Sequence, residues 1–476
     1  MLKAALDYDR GTIVIRGIAH MPFAVLDPRT GVLRAQAMHY QSIVDYLKRS
    51  GIACEDNVAP GVLPRPNLGE PSTLQQLRDY QQKALDSWAA AGMKGCVVLP
   101  TGSGKTLVGV EAIRRAGAAA LVVVPTLDLM DQWTGVLARH FPNAKIGNLG
   151  GGADSIGPVT VSTYDSAYLR VSSLGNMFAL VVFDEVHHLA APGYRTIAEQ
   201  MTAPFRLGLT ATIEREDELH RDLPALVGGV VFQASPDALA REKHLAPYEI
   251  ERRKIEMLPE ELVQYRQVMQ RYHECINSLF GANYSAISIE KLVMMSGRSP
   301  LAREALLARN RAANIALNSR AKLDELQEIL AENSGTKTII FTQHNSMVYD
   351  ISGRFLIPFI THKTGKEERQ DVLQGFKEGR YTAIVTSKVL DEGVDVPDAE
   401  LGIIVSGTGS AREFIQRLGR LLRPGKGGQK KARLIELVSA ETREETVTSA
   451  KRKRALQKAR RQTEKEQQQQ QQEART

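Results

Sequence analysis

Pro100-Thr101-Gly102-Ser103-Gly104-Lys105-Thr106 sits between an apolar run, Cys96-Val97-Val98-Leu99, and a helical pattern that begins at Leu107. This strand, glycine-rich turn and helix govern how the rest of the chain is read. Small residues at Gly102, Ser103 and Gly104 let the main chain come close to a polyphosphate, so that successive N–H groups and the N-terminus of the next helix face its oxygens. Lys105 is then placed to reach the β and γ phosphates, and the Thr106 hydroxyl to sit on Mg²⁺. The full phosphate-loop pattern asks for glycine five places before Gly104, where this chain has Leu99. A glycine-rich turn alone is often only a tight turn; Gly-Lys-Thr at a helix start points to phosphate.

Outward from the loop, apolar runs at 96–99, 120–124, 159–162, 179–183 and 206–209 alternate with helical patterns. Parallel sheets with helices on both faces are written this way. A second series follows at 338–341, 358–361, 382–386, 401–406 and 433–437, and the stretch between the two, about 256–318, has helical composition. The first segment carries β-rich runs at 12–16 and 23–26, a turn at 27–31 and a helix whose apolar face holds Ile43, Val44, Tyr46 and Leu47. Two or three strands and one helix are expected there, with the proline-rich 59–66 as linker. The expectation is an α/β chain of four parts: a small α+β domain at 1–68, a parallel-sheet lobe at 69–240, a second lobe at 241–450 interrupted by a helical insertion at 256–318, and a basic, glutamine-rich tail at 451–476.

With 476 residues, 43% apolar and 24% charged, the composition is that of globular domains with more than one core. Sixty-one Lys and Arg against 54 Asp and Glu leave +7, a balance that permits a nucleic-acid partner without demanding one. Cys54, Cys96 and Cys275 are too scattered for a zinc site or a disulfide framework. No run approaches the roughly twenty apolar residues of a membrane helix. A soluble, intracellular, cytoplasmic protein is expected, with no membrane partner.

The second chemical stretch is Leu180-Val181-Val182-Phe183-Asp184-Glu185-Val186-His187-His188. An apolar strand that ends in two carboxylates supplies what a phosphate loop lacks: an acid to hold a metal, Asp184, and an acid to orient water, Glu185. An acidic pair at a strand end is by itself often a solvated edge or a helix cap. Downstream of the loop it becomes part of a site.

The loop ending in Lys105-Thr106, the Asp184-Glu185-Val186-His187 box, Thr210-Ala211-Thr212 and Gln416-Arg417-Leu418-Gly419-Arg420-Leu421-Leu422-Arg423-Pro424 together resemble the motor of superfamily 2 helicases, in order and spacing. The resemblance implies two RecA-like lobes that sandwich ATP and Mg²⁺. It implies nucleotide contacts from Gln81, Thr101, Gly102, Ser103, Gly104, Lys105, Thr106, Gly393 and Asp395. Thr106 and Asp184 are implied as metal ligands, and Gln416, Arg420 and Arg423 as second-lobe groups facing the γ phosphate. Thr126, Thr163, Thr210, Thr212 and Thr342 fall where related motors hold a strand by its phosphates or couple it to the nucleotide.

Arg215-Glu216-Asp217, just after Thr210-Ala211-Thr212, resembles the element that marks the XPB family of DNA-repair helicases, and Asp9-Arg10-Gly11-Thr12 with Asp27-Pro28-Arg29 resembles its archaeal-type damage-recognition domain. The helical insertion falls where that family carries its thumb. The implied activity is an ATP-dependent 3′→5′ DNA helicase or translocase acting in DNA repair on single-stranded, forked or damaged duplex DNA, associated with the nucleoid, with a structure-specific nuclease as partner. An RNA helicase, a restriction-system motor and an ATP-gated clamp that opens duplex without processive movement share much of this pattern.

Overall fold

Five short strands and one helix open the chain in the computed structural model, which describes residues 3–69, 76–214, 217–242, 244–281, 289–387, 399–407 and 432–449. Strands β1 (Lys3–Asp9), β2 (Thr12–Arg16), β3 (Ala24–Asp27), β4 (Val32–Gln36) and β5 (Ala53–Asp56) form a sheet in the order β3-β4-β2-β1-β5, covered by α1 (Tyr40–Arg49). Only β1 and β5 pair in parallel. Alternate residues point inward, as a pleated strand requires: Ala4 and Leu6, Ile13 and Ile15, Leu33 and Ala35, against Ile43 and Leu47 of the helix. The two or three strands expected are five. The two without a clear signal are β1, whose only fully buried residues are Ala4 and Leu6 in a run ending Asp-Tyr-Asp, and β5, Ala-Cys-Glu-Asp, which has no buried residue to mark it.

This small domain and the first lobe belong to one unit that runs to Pro236. The Tyr8 hydroxyl lies 3.1 Å from the main-chain oxygens of both Val171 and Gln200. A Cβ on Gly175 would collide with that hydroxyl and with the Gln200 carbonyl, so the contact requires glycine there.

The first lobe holds β6 (Lys94–Val98), β7 (Ala120–Val124), β8 (Ile146–Gly150), β9 (Ala153–Asp154), β10 (Val159–Thr163), β11 (Leu180–Asp184), β12 (Phe205–Thr210) and β13 (Val230–Gln233). Their order is β13-β6-β12-β11-β7-β10-β8-β9, parallel except for β9. Helices α2 (Asp79–Ala90), α3 (Lys105–Ala116), α4 (Leu127–His140), α5 (Tyr164–Leu174), α6 (Arg195–Glu199) and α7 (Leu223–Leu226) connect them. Because both sheet faces are covered, β7, β10 and β11 are buried along their whole length, which is why β7 and β11 as far as Phe183 read as unbroken apolar runs, while β10 carries small hydroxyl residues between its valines. The chain leaves β6 and returns at β7 on the far side of β12 and β11. The carboxyl ends of β6, β12 and β11 therefore lie side by side, and in sheets of this kind ligands bind at such a switch point.

The second unit begins at Asp237. After α8 (Pro236–Arg241) and β14 (Tyr248–Ile255), three helices, α9 (Pro259–Phe280), α10 (Ile289–Ser296) and α11 (Pro300–Leu317), precede α12 (Ala321–Glu332) and an alternation of β15 (Thr338–Phe341), α13 (Asn345–Phe355), β16 (Phe359–Ile360), α14 (Lys366–Glu378), β17 (Ala383–Thr386), β18 (Leu401–Ile404) and β19 (Ala432–Ser439). The sheet is wholly parallel, in the order β14-β19-β18-β15-β17-β16. A stripe of alanines on α11, at 302, 305, 308, 312 and 316, lets α9 pack closely through Tyr265, Tyr272 and Ile276. Strand β14, Tyr-Glu-Ile-Glu-Arg-Arg-Lys-Ile, has no apolar run and was not expected. It is an edge strand held to β19 by its ladder and by an ion pair, Arg252 to Glu436 at 2.9 Å, and to α12 by another, Arg253 to Glu325 at 2.8 Å. At the base of the three helices, Lys322 and Glu444 form a fully buried ion pair at 2.7 Å, and the ammonium also donates to the Val405 oxygen. Two RecA-like lobes, a small α+β domain and a helical insertion account for the described residues. Among them no helix is long and apolar enough to cross a membrane.

Candidate nucleotide site

Gly102 and Gly104 both take positive φ, +84° and +80°, where an L side chain is strained. Gly104 is also the N-cap of α3, with no side chain to satisfy the first N–H groups of the helix. A Cβ there would come within 2.5 Å of Gln81 Nε2, which adds to the positive φ in favouring glycine at this position. Ser103 Oγ donates to Pro100 O at 2.6 Å and holds the turn. The Lys105 ammonium rests on the loop's own carbonyls, Leu99 O at 3.1 Å and Pro100 O at 3.4 Å. Thr101 Oγ1 is buried with no hydrogen-bond partner. Thr106 stands half-buried in the first turn of α3. An uncapped helix start, two left-handed glycines and an orphaned hydroxyl form a cradle that suits a polyphosphate.

Gln81, expected at the adenine edge, has both ends of its amide on main chain. Its Nε2 donates to Ser103 O at 2.8 Å, and its Oε1 accepts from Arg78 N at 2.9 Å. Tyr80 adds a hydroxyl to the same Ser103 oxygen at 2.6 Å. Helix α2 thus clamps the loop from behind.

Register places Asp184 beside Leu209, and Thr210 beside Val98. Leu99 N also donates to Thr210 O at 2.9 Å, so the base of the loop, the acidic pair and the Thr210-Ala211-Thr212 turn share one edge. Asp184 is buried; one carboxylate oxygen accepts from Trp133 Nε1 at 2.8 Å and the other from Glu185 N at 3.0 Å. Burial and the neighbouring Glu185 push its carboxyl up to about 6, opposed by the Trp133 hydrogen bond and the Lys105 charge. A metal ion would favour the ionised form strongly. Glu185 has φ +49°, a conformation costing roughly 1–2 kcal/mol for a residue with a side chain. Such strain at a strand end is characteristic of functional sites.

The Thr210 hydroxyl is the hub of this edge. It lies 2.8 Å from Thr212 O, 3.3 Å from a Glu185 carboxylate oxygen and 3.1 Å from His187 Nδ1. Thr212 Oγ1 is buried with no hydrogen-bond partner. His187 is itself fully buried, 3.5 Å from the Glu185 carboxylate. His187 and Trp133 were given no role by sequence reasoning; the only signal for His187 was its place two residues after Glu185, and Trp133 had none.

Thr126, two residues past β7, and Thr163, the last residue of β10, have hydroxyls that are helix N-caps, accepting from Leu129 N and Ser166 N at 3.2 Å each. Asp217 accepts from Leu219 N at 3.2 Å. In the second unit, Thr342 is buried at the end of β15 and donates to His344 O at 2.9 Å. Arg215, Glu216, Gly393, Asp395, Gln416, Arg420 and Arg423 lie outside the described residues.

Comparison with known proteins agrees with this geometry along the chain. Residues 6–58 match the Xeroderma pigmentosum group B helicase damage recognition domain, 74–215 the family described as type III restriction enzyme, res subunit, and 321–425 the helicase conserved C-terminal domain. Over 408 residues the chain is 42% identical to the DNA 3′-5′ translocase XPB2 of Sulfurisphaera tokodaii, covering 86% of this chain and 91% of that protein. The chain belongs to the XPB family. Another family member, the DNA 3′-5′ helicase XPB of Mycobacterium tuberculosis, is 31% identical over 366 residues, 74% of this chain and 59% of its own length. The crystal structure of the Pyrococcus furiosus Hef helicase domain shares the fold at a TM-score of 0.51 and 20% identity, covering 79% of this chain and 98% of that one. In this XPB-family chain the cradle, the acidic pair and the Thr210 hub all fall within residues 74–215, the stretch that matches the restriction-enzyme res-subunit family.

Proposed function

We propose that this XPB-family chain hydrolyses ATP at the cradle of residues 101–106 and uses the cycle to move 3′→5′ along a DNA strand, opening or remodelling duplex during repair. It is an ATP-dependent DNA helicase or translocase. The observation that carries the reading is the shared edge on which the base of the phosphate loop, the Asp184-Glu185 pair and the Thr210 hydroxyl are joined by hydrogen bonds, with the uncapped start of α3 following the same loop.

Lys105 leaves its resting place on the loop carbonyls to bind the β and γ phosphates. Thr106 and Asp184 hold Mg²⁺, which when bound neutralises charge on those phosphates. Glu185 orients the attacking water, and its distance from Thr210 ties that water to the turn before the Arg215-Glu216-Asp217 element. Gln81 keeps the loop in its open-cradle shape and offers its amide to adenine when the loop rearranges. Gln416, Arg420 and Arg423, with Gly393 and Asp395, complete the site from the second lobe; a cation facing the transferred phosphoryl is worth about 10³–10⁵ in rate. Thr126, Thr163, Thr212 and Thr342 mark the strand ends along which the DNA backbone runs, held by main-chain N–H groups that read no bases. The parts are a damage-recognition domain at 1–68, lobes at 69–240 and 241–450, a thumb at 256–318 and a basic tail from 451. A structure-specific nuclease as partner and association with the nucleoid complete the proposal.

The test is the ATPase rate with single-stranded, duplex and forked DNA and with RNA. DNA should stimulate and RNA should not, and Glu185→Gln should lose the stimulated rate while still binding nucleotide. Stimulation by RNA alone, or undiminished turnover in Glu185→Gln, overturns the reading.

A further inference from the structure

Trp133 lies in the second turn of α4, wholly buried, and its indole N–H donates to Asp184 at 2.8 Å. The other carboxylate oxygen of Asp184 is fixed by Glu185 N, and its main-chain oxygen accepts from the Tyr164 hydroxyl at 3.1 Å. Each carboxylate oxygen carries two lone pairs, so one on each is left for a further ligand. The chain's other tryptophan, Trp88, shows the ordinary solution for a buried indole: its N–H donates to a main-chain carbonyl, Arg206 O, at 2.9 Å. Trp133 differs in giving its N–H to a functional carboxylate in another part of the lobe.

Room for the indole is built into the helix that follows the phosphate loop. A Cβ at Gly109, inside α3, would come within 2.5 Å of the far edge of the Trp133 ring and 3.2 Å of Leu209. Gly109 has no unusual backbone angle to explain it. Glycine inside a helix costs about 1 kcal/mol against alanine, and the space taken by the indole accounts for it. Elements α3, α4 and β11 are thus arranged around one hydrogen bond.

We propose that Trp133 is a positioning residue whose N–H holds the Asp184 carboxylate in the orientation that binds the divalent metal. This rests on the reading of Asp184 as a metal-holding acid. Buried groups that orient a metal ligand are commonly worth about 10-fold to 100-fold in metal affinity, a range that sets the size of effect expected here.

The test uses the full chain, Mn²⁺ as a spectroscopic stand-in for Mg²⁺, and a non-hydrolysable ATP analogue. Free and bound Mn²⁺ are measured by electron paramagnetic resonance, and affinity for the analogue is measured separately in chelator. Trp133→Phe, which keeps an aromatic ring and removes the N–H, should weaken Mn²⁺ binding about 10-fold or more while leaving metal-free nucleotide affinity as in the wild type. Trp88→Phe also removes a buried indole and should leave Mn²⁺ affinity unchanged. Asp184→Asn separates the two claims. If it binds Mn²⁺ like the wild type, the metal-acid reading falls, and the proposal with it. If it loses the metal while Trp133→Phe matches the wild type, the proposal is overturned and the reading of Asp184 stands. Should Trp133→Phe not fold, benzothienylalanine at position 133, with sulfur in place of N–H and the same shape, should show the same loss; wild-type affinity there overturns the proposal.

Discussion

The hydroxyl of Thr210, at the end of the strand next to the phosphate loop, stands 3.3 Å from a carboxylate oxygen of Glu185 and 3.1 Å from His187 Nδ1. This contact joins Glu185, the acid proposed to orient water, to the turn that leads toward residues 215–217. A hydrogen bond to a charged group is worth about 1.5–3 kcal/mol, which corresponds to roughly 10-fold to 100-fold in rate if it is made only when the water is in place. Thr210→Ala should therefore lower the DNA-stimulated kcat by about that factor and leave nucleotide affinity alone. Thr210→Ser, which keeps the hydroxyl, should recover most of it. Equal rates in Thr210→Ala and the wild type would remove Thr210 from the coupling path.

Gly104 has two independent reasons to be glycine, a φ of +80° and Gln81 Nε2 standing 2.5 Å from where a Cβ would be. Relieving one should not relieve the other. Gly104→Ala should lose nucleotide binding, and adding Gln81→Ala should not restore it, because the backbone penalty of roughly 1–2 kcal/mol remains and the clamp on Ser103 O is gone. Equilibrium binding of a fluorescent ATP analogue checks both variants. Recovery in the double variant would show that the clash alone matters.

The parallel lobes were legible because strands covered on both faces must be apolar along their length, as β7 and β11 are. What was not legible follows from the same rule. Strand β14 is an edge strand whose Glu251, Arg252 and Arg253 find partners in Arg433, Glu436 and Glu325 respectively, so it carries charges where a central strand cannot. In the candidate site, Lys105, Asp184 and Glu185 could be proposed from sequence because phosphate and metal chemistry restricts the residue type at fixed chain positions. Trp133 and His187 could not, since their roles depend on contacts with Asp184 and Thr210 that arise only when distant segments meet. Thr126 and Thr163 show a third case: each hydroxyl caps the helix that follows it, a local role not assigned to them from the sequence.

Tyr8 makes the contact between the N-terminal domain and the first lobe sensitive to alkali. Burial pushes its phenol up to about 12 from an ordinary 10.0. A raised folded-state value means that the neutral phenol is favoured in the native state, so its contribution is fully present below pH 10 and is lost as pH rises toward 12. The wild type should lose stability across that window as the phenolate is forced beside the carbonyls of Val171 and Gln200. Tyr8→Phe should be less stable at neutral pH by about 0.5–1.5 kcal/mol and should lack the alkaline step. Denaturation midpoints at several pH values between neutrality and pH 12, read by protease cleavage after the N-terminal domain, check both halves. An unchanged alkaline step in Tyr8→Phe assigns it elsewhere.

Lys322 and Glu444 carry the base of the helical insertion. Both are buried; the ammonium reaches Val405 O, and Glu444 also accepts from Ser439 N at 3.0 Å, next to the Ser439 hydroxyl that donates to Ala316 O at the end of α11. Removing one partner leaves a buried charge without compensation, which typically costs about 3–5 kcal/mol. Lys322→Ala should lower the unfolding free energy of the second unit by that much, measured by denaturant titration, and speed amide exchange in α11. Lys322→Ala with Glu444→Gln removes the stranded charge and keeps an acceptor for Ser439 N, so it should recover a large share of the loss. If the double variant is no more stable than Lys322→Ala, the cost comes from the packing of the Lys322 stem and the Val405 carbonyl rather than from the uncompensated carboxylate.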